Sequence, residues 1–346
     1  MIMSKTTIVD IALALGITPS TVSRALAGNK KIKESTREAV RAKAKELGYE
    51  RNEVASNLRR GVTKTVGIIV PRINREFFSS IISKAEEVLV EAGYSLLICQ
   101  TYEKAENEKR ALKTLSSSRL AGIMISHSAE TPSSKAIKET IHGSKIKLVQ
   151  FDRVFEDLPG SRVVNDDFNG AYTAVKHLIE RGYKKIGAMV GYDTCLAFVN
   201  RYKGYEAALK EAGMPVDSAL VFPETIVRET GYANAGKAID AGCDALYSSG
   251  DFSALGALEC ALERGLRVPE DFAIVGTANE SFTALTTPSM SSVDQHPSDI
   301  GRQAAEAMLR LLNGDTAGEE IIVDTELIVR ESTGGKNNKS NKSLIL

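Results

Sequence analysis

From residue 65 onward, short uninterrupted apolar runs alternate with amphipathic segments such as 77–92 and 103–115, and this alternation constrains the fold most. Runs that are apolar at every position indicate strands buried on both faces, as in parallel sheets covered by helices. The predicted strands are residues 66–70, 95–99, 122–125, 148–151, 163–164, 186–190, 245–247 and 273–275. This part of the chain is therefore predicted to be an α/β body.

The residues that follow the predicted strands include carboxylates, arginines and an aromatic ring. They are Pro71, Arg72, Gln100, Ser126, Asp152, Arg153, Gly191, Tyr192, Gly250 and Asp251. Open parallel sheets bind ligands at the carboxyl ends of their strands. Such side chains can hold a polyhydroxylated molecule by hydrogen bonds and stacking, which predicts a small-molecule site here.

The charge of the chain is distributed unevenly. With 346 residues, 43% of them apolar, two domain-sized units are expected. The net charge is zero, yet residues 1–60 hold 12 Lys and Arg but 6 Asp and Glu, a net charge of +6 that leaves −6 on the remainder. A basic head on an acidic body indicates a polyanionic partner at one end.

The sequence lacks the common signatures of secretion, metal binding and catalysis. Its four cysteines are widely spaced, which is typical of reduced thiols in a cytoplasmic protein. It shows no secretory leader and no apolar run of about 20 residues that would span a membrane. No metal-binding spacing and no nucleophile–base pair is visible, so we expect no metal, no cofactor, no catalytic residues and no enzyme.

The first 48 residues carry a three-helix pattern. Ile8, Ile11, Ala12 and Leu15 have helical spacing, and Gly16 follows where a helix must end. A second helix is predicted over 19–27, with Thr18 as its cap and Pro19 at its first position, and a third over 34–47. Two short helices joined by a glycine turn are typical of a helix-turn-helix.

The exposed face of the second helix suits a DNA groove. Small polar side chains allow close approach, and Arg24 can form two hydrogen bonds to a guanine edge. Hydroxyl groups on this face suit phosphate oxygens. The face comprises Ser20, Thr21, Ser23 and Arg24. The alternative is an ordinary helical subdomain with a solvated face.

Residues 49–64 form a polar, basic connection that presents one leucine, Leu58. The segment is too short to be a stable helix alone. It is either a tether that packs Leu58 on the body or a helix that forms on DNA and wedges the leucine into the minor groove. The residues alone favour the tether.

The run TIVDIALALGITPSTVSRALAGNKKI, followed by VASNLRRGVTKTVGIIVP, resembles the LacI/GalR family of bacterial transcription regulators. The resemblance implies a helix-turn-helix head, a hinge and a two-lobed body of the periplasmic-binding-protein type I fold with three crossovers. Pro19, Ser20 and Arg24 match positions of the base-reading helix. Ala55, Ser56 and Asn57 match the hinge helix, and Leu58 matches the leucine that this helix inserts at the operator centre. Asn52 matches the second residue of the pair with which the hinge begins. Arg51 replaces a usual hinge proline, and Lys33 replaces a usual hydroxyl cap of the third helix.

The same resemblance implies a cleft for a small effector. Arg201 and Asp251 match effector-contacting positions, and further matching positions are Phe77, Phe78, Asp152 and Gln295. Ile226 stands where members that respond to sugars or purines often carry an aromatic platform. Either the ligand lacks a ring that needs such stacking, or another ring such as Phe77 or Tyr192 serves instead. Each residue also has a structural interpretation: the aspartates as helix caps, one phenylalanine as core, Arg201 as a surface cation.

Three further patterns are interpreted as structural. Residues 231–237 spell GxxxxGK, but Ala238 replaces the hydroxyl of a phosphate-binding loop and the segment has helical periodicity. Asp166 and Asp167 precede a predicted helix, where negative charge is favourable. Residues 335–346 are a polar tail without leucine heptads, so a homodimer is expected rather than a coiled-coil tetramer.

The sequence thus predicts a cytoplasmic, homodimeric transcription regulator that acts as a repressor. Its expected partners are a near-palindromic double-stranded operator and a small effector, with a sugar favoured over a purine or a phosphoprotein corepressor. Predicted domains are a head (1–48), a hinge (49–64), a two-lobed body (65–334) and a tail (335–346). A solute-binding protein shares the body but needs an export signal instead of a basic head, and an α/β enzyme needs catalytic groups that are not visible.

Overall fold

The computed structural model describes residues 6–29, 31–49, 63–118, 120–143, 146–316 and 318–334. The chain divides into two compact units, Met1–Thr63 and Lys64–Leu346. The described part of the first unit contains the helices α1 (Ile8–Leu15), α2 (Pro19–Leu26) and α3 (Glu34–Glu46).

Local sequence signals set the ends of the first two helices. Thr7 and Asp10 form a reciprocal capping box at the start of α1, and Gly16 ends the helix in the left-handed region at φ 63°. The Thr18 hydroxyl accepts a hydrogen bond from the backbone N–H of Thr21 at the start of α2. These features confirm the predicted helix-turn-helix, whose small apolar core is Ile11, Ala12, Val22, Ala25, Val40 and Ala44.

The second unit contains two six-stranded sheets. The first, in lobe 1, comprises β1 (Thr65–Val70), β2 (Ser95–Gln100), β3 (Gly122–Ile125), β4 (Lys147–Phe151), β5 (Ser161–Asn165) and β11 (Glu320–Val323), in the order β11-β5-β4-β3-β1-β2. The second, in lobe 2, comprises β6 (Ile186–Met189), β7 (Val221–Phe222), β8 (Ala245–Ser248), β9 (Ala273–Thr277), β10 (Ser291–Asp294) and β12 (Glu326–Ile328), in the order β12-β10-β9-β8-β6-β7.

Helices cover both sheets, and apolar clusters lie on the two faces of each. The helices are α4 (Glu76–Glu91), α5 (Ala105–Ser117), α6 (Lys135–Ile141), α7 (Asp167–Glu180), α8 (Leu196–Glu211), α9 (Arg228–Asp240), α10 (Asp251–Glu263) and α11 (Pro297–Asn313). The chain changes lobes after β5, after β10 and between β11 and β12, and α11 packs in the core of lobe 1. The predicted two-lobed α/β body with three crossovers is therefore confirmed.

Two expectations about the strands need correction. β2 was predicted to be buried on both faces, but it is an edge strand on which Leu97 and Ile98 are 44% and 48% exposed. The sheets were predicted to be parallel, but β12 pairs antiparallel with β10. The strands β7, β10, β11 and β12 lack long apolar runs, so the pattern that identified the others did not predict them.

The first glycine of the GxxxxGK segment, Gly231, serves helix packing. The segment lies within α9, as its periodicity indicated. A Cβ atom on Gly231 would lie 2.2 Å from the carbonyl oxygen of Ser253 in α10, and one on Gly256 would lie 2.0 Å from that of Arg228. Because α9 and α10 approach this closely, both positions require glycine.

Candidate functional site

A cavity of about 120 Å³ lies between the two lobes, where the carboxyl ends of strands from both sheets face each other. Seven of the eight predicted effector residues line it: Phe77, Phe78, Asp152, Arg201, Ile226, Asp251 and Gln295. Tyr192 is outside the lining and packs against a small cluster that includes Cys195 and Phe198. The cavity is smaller than typical ligand pockets of about 300–1,000 Å³.

Arg201 enters the cavity from α8 as half of a buried ion pair. Its Nε donates to Asp167 Oδ1 at 2.7 Å, and one terminal nitrogen donates to the carbonyl oxygen of Ser249 at 2.8 Å. Burial raises the pKa of Asp167 to about 6, against the opposing effect of Arg201. Asp166 caps α7 as predicted, accepting from the N–H of Asn169, but Asp167 holds the arginine, so the two aspartates have different roles.

Asp251 begins α10, and both of its carboxylate oxygens are occupied by neighbouring donors. Oδ1 accepts from the Ser292 hydroxyl at 2.7 Å, and Oδ2 accepts from the Glu280 N–H at 2.8 Å. Burial raises the pKa of Asp251 to about 7, although these hydrogen bonds oppose the rise. A Cβ on Gly276 would lie 2.0 Å from Oδ1, so glycine is required there. Asp251 thus fixes the loop that carries Glu280.

Asp152 follows β4 in the left-handed region at φ 59°. Its Oδ2 accepts from the Ser126 hydroxyl at 2.9 Å, and burial raises its pKa. The next residue, Arg153, donates to Glu103 at 2.7 Å and lies over the rings of Phe78 and Phe198. Charged groups on this wall are therefore paired with one another.

The aromatic wall comes from both lobes. Phe77 and Phe78 pack edge to face with ring centroids 5.1 Å apart, and both belong to the core of lobe 1 while lining the cavity. Phe198 and Phe252 line it from lobe 2, close to Ile226. Besides Phe77, the rings of Phe198 and Phe252, which the sequence did not single out, thus offer surfaces on which a ligand can stack.

A reciprocal contact joins the lobes at the N-terminus of α4. The Glu280 carboxylate accepts from the backbone N–H groups of Glu76 at 3.1 Å and Phe77 at 3.5 Å. The Glu76 carboxylate accepts from the N–H of Ser281 at 2.8 Å. The Arg75 guanidinium stacks on the Phe252 ring at 3.3 Å. We call the Glu76–Glu280 pair the interlobe latch.

Gln295 links two of the crossover segments as well as lining the cavity. Its side-chain amide donates to Asn165 Oδ1 at 3.0 Å, and the Asn165 amide donates to the Gln295 carbonyl oxygen at 2.8 Å. Asn165 ends β5 and Gln295 follows β10, so this exchange lies where the chain passes between lobes. A group bound at Gln295 can therefore affect the lobe arrangement.

The candidate DNA-binding surface is the outer face of α2. Pro19, Ser20 and Arg24 are exposed, whereas Thr21 and Ser23 are half-buried. The Thr18 hydroxyl lies 2.9 Å from those of Ser20 and Thr21. Lys33 occupies the capping position before α3 and forms no side-chain hydrogen bond to the helix. The predicted hinge residues Asn52, Ala55 and Leu58 lie outside the described residues.

The sequence did not identify Arg75, Glu103, Phe252 or Glu280 as part of the cleft. They lie in loops or at helix starts, and their partners are distant in the chain, so no local pattern marks them. Within the described ranges, no group of three or more His, Cys, Asp and Glu residues could hold a metal ion. No single helix there is long and apolar enough to cross a membrane, and α1 with α2 meets that test only as a pair bent by 108°.

Comparisons with known proteins relate both units to bacterial regulators. Residues 7–52 match the model described as bacterial regulatory proteins, lacI family, and residues 175–333 match a periplasmic binding protein-like domain. The chain is 30% identical over 335 residues to the HTH-type transcriptional regulator DegA of Bacillus subtilis, covering 96% of this chain and 99% of that protein.

A second relative and a solved structure have similar coverage. The HTH-type transcriptional repressor PurR of Haemophilus influenzae is 32% identical over 333 residues, 94% of this chain and 98% of that protein. The structure of the transcriptional regulator CelR in complex with cellobiose is 27% identical, with a TM-score of 0.73 over 95% of this chain and 100% of that one.

Proposed function

We propose, because this chain belongs to the lacI family of bacterial regulatory proteins, that it represses transcription by binding an operator through α2 and that a small effector in the interlobe cleft controls the binding. The observation that carries the proposal is the paired and buried charge of the cleft, in the same chain as a helix-turn-helix with an exposed polar face. Such a regulator works in the cytoplasm, on the nucleoid.

On DNA, α2 enters the major groove with Arg24 directed at a base edge. Ser20 and Arg24 are exposed at neighbouring turns of the helix, and the buried Val22 and Ala25 hold the opposite face against the other helices. A guanine offers Arg24 two acceptors, while the hydroxyls of Thr18 and Ser20 suit phosphates. Leu58 is proposed to wedge into the minor groove between two hinge segments.

The functional unit is a homodimer on a near-palindromic site. Two-fold symmetry in the protein matches two half-sites in the DNA. An exposed apolar surface at the edge of lobe 1 supports self-association, since Val90 on α4 and Leu97 and Ile98 on β2 are 44–50% exposed. An unpaired strand edge with such side chains is unusual on a surface that stays in water.

The effector is proposed to be a sugar or a sugar derivative. Rings flank the cavity on both sides, and polar groups converge on it from Asp152, Arg201 and Gln295. The solved CelR structure is a cellobiose complex. A purine is the second candidate, because Phe198 and Phe252 offer faces on which a base can stack.

The interlobe latch is proposed to connect the effector to DNA binding. A ligand that enters the cavity and moves the lobes apart breaks the contacts of Glu76 and Glu280. Lobe separation changes the spacing of the two hinges of a dimer and hence the stability of the heads on DNA.

The test is selection of binding sites from a pool of randomised palindromic DNA by the full chain, with sequencing of the bound fraction. Enrichment of one symmetric site, with affinity that changes when sugars are added, is the expected result. A steep salt dependence without an enriched site would show only phosphate binding and would contradict the proposal.

A further inference from the structure

Two of the four arginines of the cleft form no salt bridge with any residue that the structure describes. Arg153 is bound to Glu103, and Arg201 is bound to Asp167. In contrast, no ion pair or side-chain hydrogen bond is formed by Arg72 or Arg75 with any described residue. Both line the cavity, Arg72 after β1 and Arg75 directly before α4.

The carboxylates of the cavity wall already have donors. Glu103 accepts from Arg153, and Asp152 accepts from Ser126. The oxygens of Asp251 are occupied as described above, and those of Glu280 accept from the start of α4. In the described part of the cleft, no carboxylate forms a salt bridge with Arg72 or Arg75, although Glu280 and Glu103 interact with Arg75 over a longer distance.

Burial and the like charge of Arg72 make this arrangement costly for Arg75. Burial lowers the pKa of Arg75, Glu280 opposes this effect, and Arg72 lowers the pKa further, while Glu103 and Glu229 also oppose the decrease. The face of the Arg75 guanidinium stacks on Phe252, which leaves the N–H groups at its edge available. A bound anion would relieve the repulsion between the two arginines.

We propose that the effector carries a carboxylate or a phosphate that binds Arg72 and Arg75, and that its remainder is a monosaccharide held by the polar groups deeper in the cleft. This inference rests on the proposed function and narrows its ligand from sugars to sugar acids or sugar phosphates. Ser249 also lines the cavity, and its buried hydroxyl is without a hydrogen-bond partner in the described ranges, so it is available to a sugar hydroxyl. Arginine is suited to both anions because its planar fork matches their oxygens.

An anionic effector also acts on the interlobe latch. Glu280 interacts electrostatically with Arg75. An anion bound at Arg75 repels the Glu280 carboxylate and weakens its bonds to the start of α4. The ligand therefore favours lobe separation through its charge.

The test is calorimetric titration of the full chain with matched sugars at about 0.15 M salt, where exposed charges are screened. The panel is glucose, galactose and mannose, each compared with its uronate and its 6-phosphate. We expect at least one anionic sugar to bind at least tenfold more tightly than its neutral counterpart. Comparison of the uronates with the 6-phosphates shows whether the site prefers a carboxylate or a phosphate. Equal or tighter binding of the neutral sugars, or no binding of any anionic sugar, would overturn the proposal.

Variants of Arg72 and Arg75 test whether these two arginines cause the preference for anionic sugars. Arg72→Gln and Arg75→Gln are each expected to weaken binding of the preferred anionic sugar about tenfold or more, because a charge-assisted bond is lost. Arg110→Gln, at an exposed position on α5 outside the cleft, is the control and should bind as the parent does. Unchanged affinity in both cleft variants would refute the assignment. Selection of an operator by the same protein would then still support the proposed function, so the two failures are distinguishable.

Discussion

The carboxylates of Glu280 and Glu76 each accept a hydrogen bond, across the cleft, from the backbone segment that carries the other residue. The Glu280 carboxylate accepts from the N–H of Glu76, and the Glu76 carboxylate accepts from the N–H of Ser281. Because the two residues belong to different lobes, both hydrogen bonds break when the lobes separate. The pair therefore stabilises the closed arrangement and is expected to set how readily a ligand opens it.

Glu280→Ala is expected to shift the protein towards separated lobes. The variant loses two hydrogen bonds from N–H groups to a charged acceptor, which changes the equilibrium about tenfold or more. Small-angle X-ray scattering should show a larger radius of gyration than for the parent. Glu86→Ala, at an exposed position on α4, is the matched control. Identical scattering of Glu280→Ala and the parent would show that the latch does not hold the lobes.

Asp251 should make the stability of the protein depend on pH. Its pKa is raised by burial to about 7, from 3.8 in the unfolded chain, so the folded state binds the extra proton between these values. The contribution of this proton to the free energy of unfolding is fully present below about pH 4. It is lost as the pH rises to 7, at up to about 1.4 kcal/mol per pH unit.

Asp251→Asn keeps the shape of the side chain and removes the titration. The difference in unfolding free energy between the variant and the parent, measured by urea denaturation at several pH values, should therefore change in favour of the variant from pH 4 to 7. A difference that is constant over this range would show that Asp251 is ionised throughout in the folded protein.

Gly276→Ala is expected to destabilise lobe 2 by about 1–3 kcal/mol through overpacking. The new methyl group would meet Asp251 Oδ1 at 2.0 Å and displace a carboxylate that Ser292 and Glu280 hold. Gly250→Ala is the control, because its nearest neighbour lies at 3.7 Å. Thermal unfolding measures both, and equal melting temperatures would contradict the packing described for Asp251.

Arg24→Ala should weaken operator binding and relax the preference at one base pair in each half-site. Loss of a bidentate contact to guanine costs about 1–3 kcal/mol, or roughly 5–150-fold in affinity. Arg41→Ala, exposed on α3, should leave the selected bases unchanged. Binding-site selection with both variants makes the comparison, and an unchanged preference in Arg24→Ala would exclude base recognition by this residue.

Sequence patterns predicted the helix-turn-helix and the two-lobed body because capping residues and apolar runs act locally. They predicted the strand β2 but not its exposure, because its apolar residues face outward at a sheet edge, and they missed β12, which is three residues long. Apolar content alone does not distinguish an edge strand from a central strand.

Only some of the cleft residues could be predicted, because local patterns do not show which distant residues meet. Strand ends identified Asp152 and Asp251, and the resemblance identified Arg201. The partner of Arg201 was missed because Asp167 has a second, local explanation as a charge at a helix start. Glu280 lies 204 residues from Glu76, so only the folded chain shows that they meet.

The most direct test of whether the cleft controls DNA binding is the affinity of the full chain for its selected operator. It is measured with and without the tightest-binding sugar of the panel. We expect the operator affinity to change at least fivefold. We also expect the sugar affinity to change by the same factor when the operator is present, because coupling between two sites is reciprocal. An operator affinity that stays the same at saturating sugar would contradict the claim that the cleft controls DNA binding.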